Sequence, residues 1–181
     1  MPSDRHVLEV GSGTGQHAVY LAPHFPWLTW HPSDKREQHA GIRGWLESHS
    51  PGNVRPPLAY EVGRDPFPVV EGKTDRGGFD VVFTANTLHI MPWVRVKAWI
   101  ADLGQNLRDG ARVVIYGPFN YGGRYTAPSN AAFDRWLQQQ HPDSAIRDCE
   151  AVAAAMDKAG LILQADWSMP ANNRVLVFRR K

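Results

Sequence analysis

Short apolar runs alternate with amphipathic segments along this chain. His6–Val10 (HVLEV) is a compact apolar run that stops at glycine, and Leu28–Trp30 (LTW) is a second that ends just before His31-Pro32. Pro57–Val62 (PLAYEV) is a weaker third. Asp80–Thr84 (DVVFT) and Arg112–Tyr116 (RVVIY) are β-branched and nearly continuous, the pattern of strands buried on both faces. Leu161–Trp167 (LILQADW) and Arg174–Arg179 (RVLVFR) close the series. Between the runs, Pro92–Leu107 places Trp93, Val96, Ile100, Leu103 and Leu107 on one helical face, with Pro92 suited to a first turn. Ala131–Gln140 aligns Phe133, Trp136 and Leu137, and Cys149–Ala159 aligns Val152, Met156 and Ala159 ahead of a Gly160 stop. Gly15–Ala22 and Lys35–Ser48 also fit helices. Strands alternating with helices predict βαβ crossovers and a mostly parallel sheet covered on both faces. Only Ser168–Asn173 separates the last two runs, too little for a crossover helix, so they must pair as an antiparallel hairpin. The expected fold is α/β: a Rossmann-like, doubly wound, mostly parallel seven-stranded sheet ending in that hairpin. Residues 1–181 read as one domain. Gly63–Gly78 is expected to be a long loop with one turn of helix, since Phe67, Val69 and Val70 are too apolar for a solvated tether.

Composition narrows the function classes. The 181 residues are 43% hydrophobic and 21% charged, which fits an ordinary globular core. Twenty Lys and Arg against eighteen Asp and Glu leave +2, too little surplus to predict a nucleic-acid groove or an acidic-membrane patch. Cys149 is the single cysteine, which excludes an intrachain disulfide and a multi-cysteine zinc site. No metal is expected: Pro23 and Pro26 interrupt any helix that could align His17, His24 and His31. No run approaches a membrane span, and the start MPSDRHVLEV does not read as a secretory signal, so a cytoplasmic protein is expected. The sequence carries no signal for oligomeric state.

The sharpest motif is Glu9-Val10-Gly11-Ser12-Gly13-Thr14-Gly15, directly after the first strand and opening a helix. Glycines let the backbone turn tightly and approach a ligand, and the helix start offers free N–H groups. A Walker loop would need Lys after its last glycine; the dinucleotide fingerprint would need glycine where Gln16 stands; a nucleophile elbow would need a residue between Ser12 and each glycine. The spacing E-x-G-x-G-x-G, with the terminal hairpin, resembles the class I S-adenosylmethionine (SAM) methyltransferases. That resemblance implies SAM as cofactor, held by Glu9, Gly11, Ser12, Gly13 and Gly15. It also implies an acidic ribose contact after the second strand, here Asp34, and an adenine contact near the third, here Glu61, with Asn86 beside them. Asp34 has an alternative role as a helix N-cap with Glu37 three residues on, and Glu61 as a solvated loop carboxylate.

Finer detail narrows the match. His31-Pro32-Ser33-Asp34, Asn86-Thr87-Leu88-His89-Ile90, Tyr116-Gly117-Pro118-Phe119, Ser129-Asn130 with Phe133-Asp134, Ile146-Arg147-Asp148 and Pro170-Ala171-Asn172-Asn173 occur in this order. Together they resemble a poorly characterised family of short methyltransferase-like proteins of bacteria and animals, from about Val7 to Phe178. Members usually carry a helical segment before the first strand, with an Arg-Asn pair that helps close the cofactor site. Here the chain begins six residues before Val7, so the expectation is either an internal start or a more open site.

In a parallel sheet, ligands bind beyond the carboxyl ends of the strands, and loop residues from distant positions converge there. The expected reaction is methyl transfer to a small-molecule acceptor. His89 is the candidate base, because an unperturbed histidine titrates near working pH. Tyr116 or Tyr121 would orient the acceptor, and Asn86, Asn172 and Asn173 would hydrogen-bond a polar substrate. Phe119, Tyr121, Asn130, Arg147, Asn172 and Asn173 are candidate substrate contacts. Each has a plainer alternative: Ser129, Asn130 or Asp148 can cap helices, and Asn172 and Asn173 can adopt positive φ in a turn. No [DNS]-P-P-[YFW] run follows the fourth strand, which disfavours DNA-adenine or protein-amide targets. A non-catalytic binding module of the same fold is the rival reading, with Trp30, Trp45 and Trp93 as a contact patch or as core. A nucleotide-dependent oxidoreductase is disfavoured by Gln16.

Overall fold

The computed structural model describes residues 6–49, 51–73 and 76–181. The first five residues, on which part of the signal-peptide reading rests, and residues 74–75 of the expected long loop lie outside them. The chain runs β1 (His6–Val10), α1 (Gln16–Leu21), β2 (Thr29–Asp34), α2 (His39–His49), β3 (Leu58–Ala59), β4 (Val81–Ala85), α3 (Trp93–Asn106), β5 (Arg112–Asn120), α4 (Pro128–Gln140), β6 (Arg147–Asp148), α5 (Cys149–Lys158), β7 (Leu161–Met169) and β8 (Asn173–Arg180). Strand order across the sheet is β3-β2-β1-β4-β5-β8-β7. Pairs from β3 to β5 are parallel, and β8 lies antiparallel between β5 and β7. The seven strands and the closing hairpin therefore form as the alternation predicts. An eighth strand, β6, is two residues long and pairs with Phe119–Asn120 beyond this path. It is too short to leave an apolar run.

The strands run further than their apolar cores. β2 continues through Pro32, Ser33 and Asp34, because Val10 pairs with Ser33 and carries the ladder past the polar residues. β5 reaches Asn120, held by β8 on one side and β6 on the other. On one face of the sheet, Leu8, Val10, Val82, Val113, Ile115, Leu176 and Phe178 pack with Val96, Trp99, Ile100 and Leu103 of α3 and Val152 and Met156 of α5. On the other, Val7 and Trp30 pack with Ala18 and Ala22. Trp30 is thus core rather than contact patch, and Trp93 lies under the Arg147 guanidinium. The loop before β4 folds Phe67 and Val70 into the core, while Val69 stays exposed. Among the described residues, no helix is long and apolar enough to cross a membrane.

One helix turns a different face inward than its hydrophobicity implies. The buried residues of α4 are Asn130, Asp134 and Leu137, and Trp136 is 52% exposed. Asp134 explains the rotation. Its carboxylate accepts the Ile146 N–H at 2.5 Å, the Tyr125 hydroxyl at 2.8 Å and the Gln138 amide at 3.0 Å. A buried carboxylate that is fully hydrogen-bonded orients a helix as firmly as an apolar stripe.

Candidate functional site

The order of strands reverses between β1 and β4, because β1 crosses over to β2 on one side while β4 and β5 continue on the other. Chains leave the two central strands in opposite directions there, which opens a crevice at their carboxyl ends. The glycine loop follows β1 and the segment Asn86–Met91 follows β4, so both border that crevice.

The loop is held to β2 through Ser33. The Ser33 carbonyl accepts the N–H groups of Gly11 and Ser12, each at 3.0 Å. Its hydroxyl donates to the Glu9 carbonyl at 2.7 Å, and its N–H donates to the Ser12 hydroxyl at 3.1 Å. Ser12 is thereby committed to the turn. The three glycines all have positive φ, at 71°, 58° and 89°. Their surroundings differ. A Cβ on Gly11 would lie 2.7 Å from Thr87 Oγ1, and one on Gly15 would lie 3.2 Å from Ile42. A Cβ on Gly13 would meet nothing within 4 Å. Packing explains the outer glycines; the middle one faces open space.

Asp34, at the end of β2, turns its carboxylate back onto that middle glycine. It accepts the Gly13 N–H at 2.8 Å through one oxygen and the Lys35 N–H at 2.7 Å through the other. It does not take the alternative role of N-cap: Lys35 holds that position for the following 3₁₀ turn, without a side-chain bond. Glu9 faces inward. It is 1% exposed and accepts the Trp30 indole N–H at 2.6 Å. Burial pushes its carboxyl up to about 7, partly opposed by the Trp30 and Ser12 hydrogen bonds. Glu9 therefore braces the loop from below, whereas the resemblance implies a direct cofactor contact. Glu61 is likewise engaged, with Arg64 at 2.9 Å and Arg95 at 4.0 Å. It lies at the edge of the site as half of an ion-pair cluster rather than as a solvated carboxylate.

Across the crevice, Asn86 adopts φ 56°, a conformation asparagine tolerates, and its N–H donates to the Tyr116 carbonyl at 2.9 Å. Two side chains of this segment approach Gly117. The position a Cβ would take there lies 3.6 Å from Asn86 Oδ1 and 3.8 Å from His89 Nδ1. The two polar groups thus converge on one point at the end of β5. His89 is 5% exposed and its ring meets the Phe133 edge with centroids 5.3 Å apart. Burial pushes its imidazole down to about 4, Arg147 adds to the effect and Asp134 opposes it. The ring is neutral across the physiological range.

The hairpin tip also reaches this rim. Asn172, at φ 59°, donates to the Ser129 hydroxyl at 3.2 Å, and its carbonyl accepts from Asn130 at 3.4 Å. Ser129 is therefore not a helix cap: α4 starts at Pro128 with Ala127 as N-cap and no side-chain bond. Ala171 rather than Asn173 takes the second positive φ, while Asp148 does cap α5 by accepting the Glu150 N–H.

Other candidates lie elsewhere. Phe119 is core, at 1% exposure among the residues packed by α3 and α5. Tyr116 lies on the sheet face opposite Ile115 and that core. Tyr121 donates to Asp166 at 2.7 Å and lies under the Arg174 guanidinium. Arg147 spends its donors on main-chain carbonyls, at 3.1 Å for Leu88 and 2.9 Å for Asp143, with Met91 as a third. It is a brace and not an open substrate contact. Thr87, Gly117 and Asp134 carry the geometry instead. All three lie within motif blocks of the sequence, Asn86–Ile90, Tyr116–Phe119 and Phe133-Asp134, but only Asp134 carries a further signal, its i+4 spacing from Asn130. A separate groove of about 480 Å³ lies at the opposite end of the sheet, lined by Asp109, Gly110, Ile162 and Arg179 among others.

Comparison with known proteins agrees with this fold. The sequence model of a family described as "Protein of unknown function (DUF938)" matches residues 1–180. Among solved structures, the S-adenosylmethionine-dependent methyltransferase SibL is similar over 98% of this chain and 51% of its own, at 23% identity and TM-score 0.80. An O-methyltransferase family 2 protein from Planctomyces limnophilus, in complex with apigenin, covers 100% and 55% at 17% identity and TM-score 0.83. Human N-acetylserotonin methyltransferase, in complex with SAM, covers 98% and 48% at 13% identity and TM-score 0.81. The chain spans about half the length of these solved proteins, and what it shares with them is the class I methyltransferase fold.

Proposed function

The chain belongs to this DUF938 family, and from that premise we propose that it transfers a methyl group from SAM to a small-molecule acceptor. The observation that carries the proposal is Gly13, turned to open space beside the Asp34 carboxylate while its two neighbouring glycines are closed by packing. A cradle free of side chains, with a carboxylate at its lip, fits an adenosyl group with its ribose hydroxyls. Gly11, Gly13 and Asp34 would hold the cofactor, and Asn86 would close the site from β4.

When bound, SAM supplies an electrophilic methyl group on a sulfonium whose sulfur leaves readily. The protein's work is then alignment and proton handling. His89, neutral at working pH, offers a ring nitrogen as proton acceptor beside Asn86. Its proton affinity is low. That suffices for a hydroxyl or amine acceptor, because such a group becomes strongly acidic as its new bond to carbon forms. Asn86 Oδ1 would receive a hydrogen bond from the acceptor and fix its orientation. The binding of apigenin by one structural neighbour and of SAM by another supports a small-molecule reaction at this rim.

Calorimetry with SAM and S-adenosylhomocysteine tests the reading. Saturable binding is expected, abolished by Gly13→Val. Lack of binding at millimolar cofactor by the folded chain would refute it. Mass spectrometry for co-purified S-adenosylhomocysteine is an independent check.

A further inference from the structure

We propose that Arg147 is a positioning residue for the methyl-transfer site, the centre of a clasp that holds the His89 loop in place. The proposal rests on the reading of His89 as proton acceptor. Four consecutive carbonyls of that loop are captured by one short segment. The Leu88 carbonyl accepts from Arg147 Nε at 3.1 Å, and the His89 carbonyl accepts the Ala145 N–H at 3.0 Å. The Ile90 carbonyl accepts the Ser144 hydroxyl at 2.8 Å, and the Met91 carbonyl accepts from Arg147 Nη2. Arg147 also returns to the Asp143 carbonyl at 2.9 Å, and its guanidinium sits 5.9 Å from the Trp93 ring centroid.

Loop carbonyls usually face water, and their peptide planes rotate freely. Four in succession that are held by residues 144–147 cannot, so the direction of the His89 side chain is set. Arginine suits the task because a planar fork reaches several carbonyls from one head group; a lysine ammonium is a compact point. The charge has a second consequence. The groups that face His89 are Arg147 from β6 and Asp134 from α4, and they act in opposite senses. The clasp therefore both aims the imidazole and helps keep it unprotonated.

Amide exchange and histidine NMR on the full chain, without cofactor or acceptor, test this. In Arg147→Met, exchange of the Ala145 amide is expected to accelerate about tenfold or more, and the His89 titration to move up in part while staying depressed, because burial, the larger cause, remains. Arg147→Lys should accelerate the same amide but leave His89 low, because the charge stays. Unchanged Ala145 exchange in both variants, or an unmoved His89 titration in Arg147→Met, overturns the proposal. If Arg147→Met does not fold, Ser144→Ala removes one strut and no charge: faster exchange at Ala145 and Ile90 with His89 unmoved supports the clasp, and unchanged exchange overturns it. The His89 reading fails separately, if His89→Ala retains full methyl transfer.

Discussion

Alanine at Gly11 and at Gly13 should separate packing from ligand space within one loop. Both positions have positive φ, which costs an L-residue roughly 1–2 kcal/mol. At Gly11 the new Cβ would also lie 2.7 Å from Thr87 Oγ1 and 2.9 Å from Thr87 Cγ2, and forcing a methyl into a packed site costs about 1–3 kcal/mol. Gly11→Ala should therefore destabilise the fold by about 2–5 kcal/mol, and Gly13→Ala by only about 1–2 kcal/mol. Urea denaturation reads the difference as a displaced midpoint, about 1–2.5 M lower for Gly11→Ala and about 0.5–1 M lower for Gly13→Ala at an m-value of about 2 kcal/mol/M. The Thr87→Ala background is the control. It removes both clashing atoms, so Gly11→Ala should there cost only its backbone strain, and a double-mutant cycle should show coupling of about 1–3 kcal/mol. Affinity should rank the other way: Gly13→Ala, although folded, should lose about tenfold or more in S-adenosylhomocysteine binding, because its methyl points into the cradle. Equal destabilisation by the two alanines would refute the packing argument. Wild-type affinity in Gly13→Ala would refute the assignment of that space to the cofactor.

Three further outcomes follow from the charged groups. Because the folded chain holds the Glu9 proton up to about pH 7 while the unfolded chain loses it near 4.5, this carboxyl's stabilising contribution is full below about pH 4.5 and is lost as pH rises toward 7. Glu9→Gln cannot ionise, so it should melt higher than wild type at pH 8, by about 3 kcal/mol in stability, and equal melting at pH 8 would contradict the burial argument. Asp34→Ala should free the Gly13 and Lys35 N–H groups, cost about 1–2 kcal/mol and weaken cofactor binding in calorimetry; undiminished affinity would remove Asp34 from the site. His89→Ala should cut turnover while sparing S-adenosylhomocysteine affinity. The acid limb of the wild-type rate profile should fall near pH 4 rather than 6.5, and a limb near 6.5 that disappears in the variant would show that the ring is better solvated than its burial implies.

Local signals and tertiary outcomes part company at identifiable residues. The alternation of β-branched runs with helical stripes specified the sheet because crossover length and handedness leave few ways to bury such runs. The glycine spacing marked the loop because no other residue takes three positive φ values so close together. The motif Asn86–Ile90 was legible as a rim segment, since whatever follows a central parallel strand emerges at the ligand edge. Which side chains face the crevice was a different matter. Phe119 and Tyr121 are both aromatic and lie two residues apart on β5 and its exit, yet one is core and the other is hydrogen-bonded to Asp166.

The sequence alone decided the class of fold, the place of the glycine loop and the edge of the sheet on which it lies, because backbone propensity and hydrophobic period act locally. Tertiary structure alone decided that Gly13 is open while Gly11 is not, that Glu9 and Arg147 face inward as braces, and that α4 turns Asp134 rather than Trp136 to the interior. Each of these depends on a partner far along the chain: Thr87, Trp30, the carbonyls of Leu88 and Met91, and the Ile146 amide. A buried polar group is placed by whichever partner satisfies it, and no periodicity in the chain records where that partner will be.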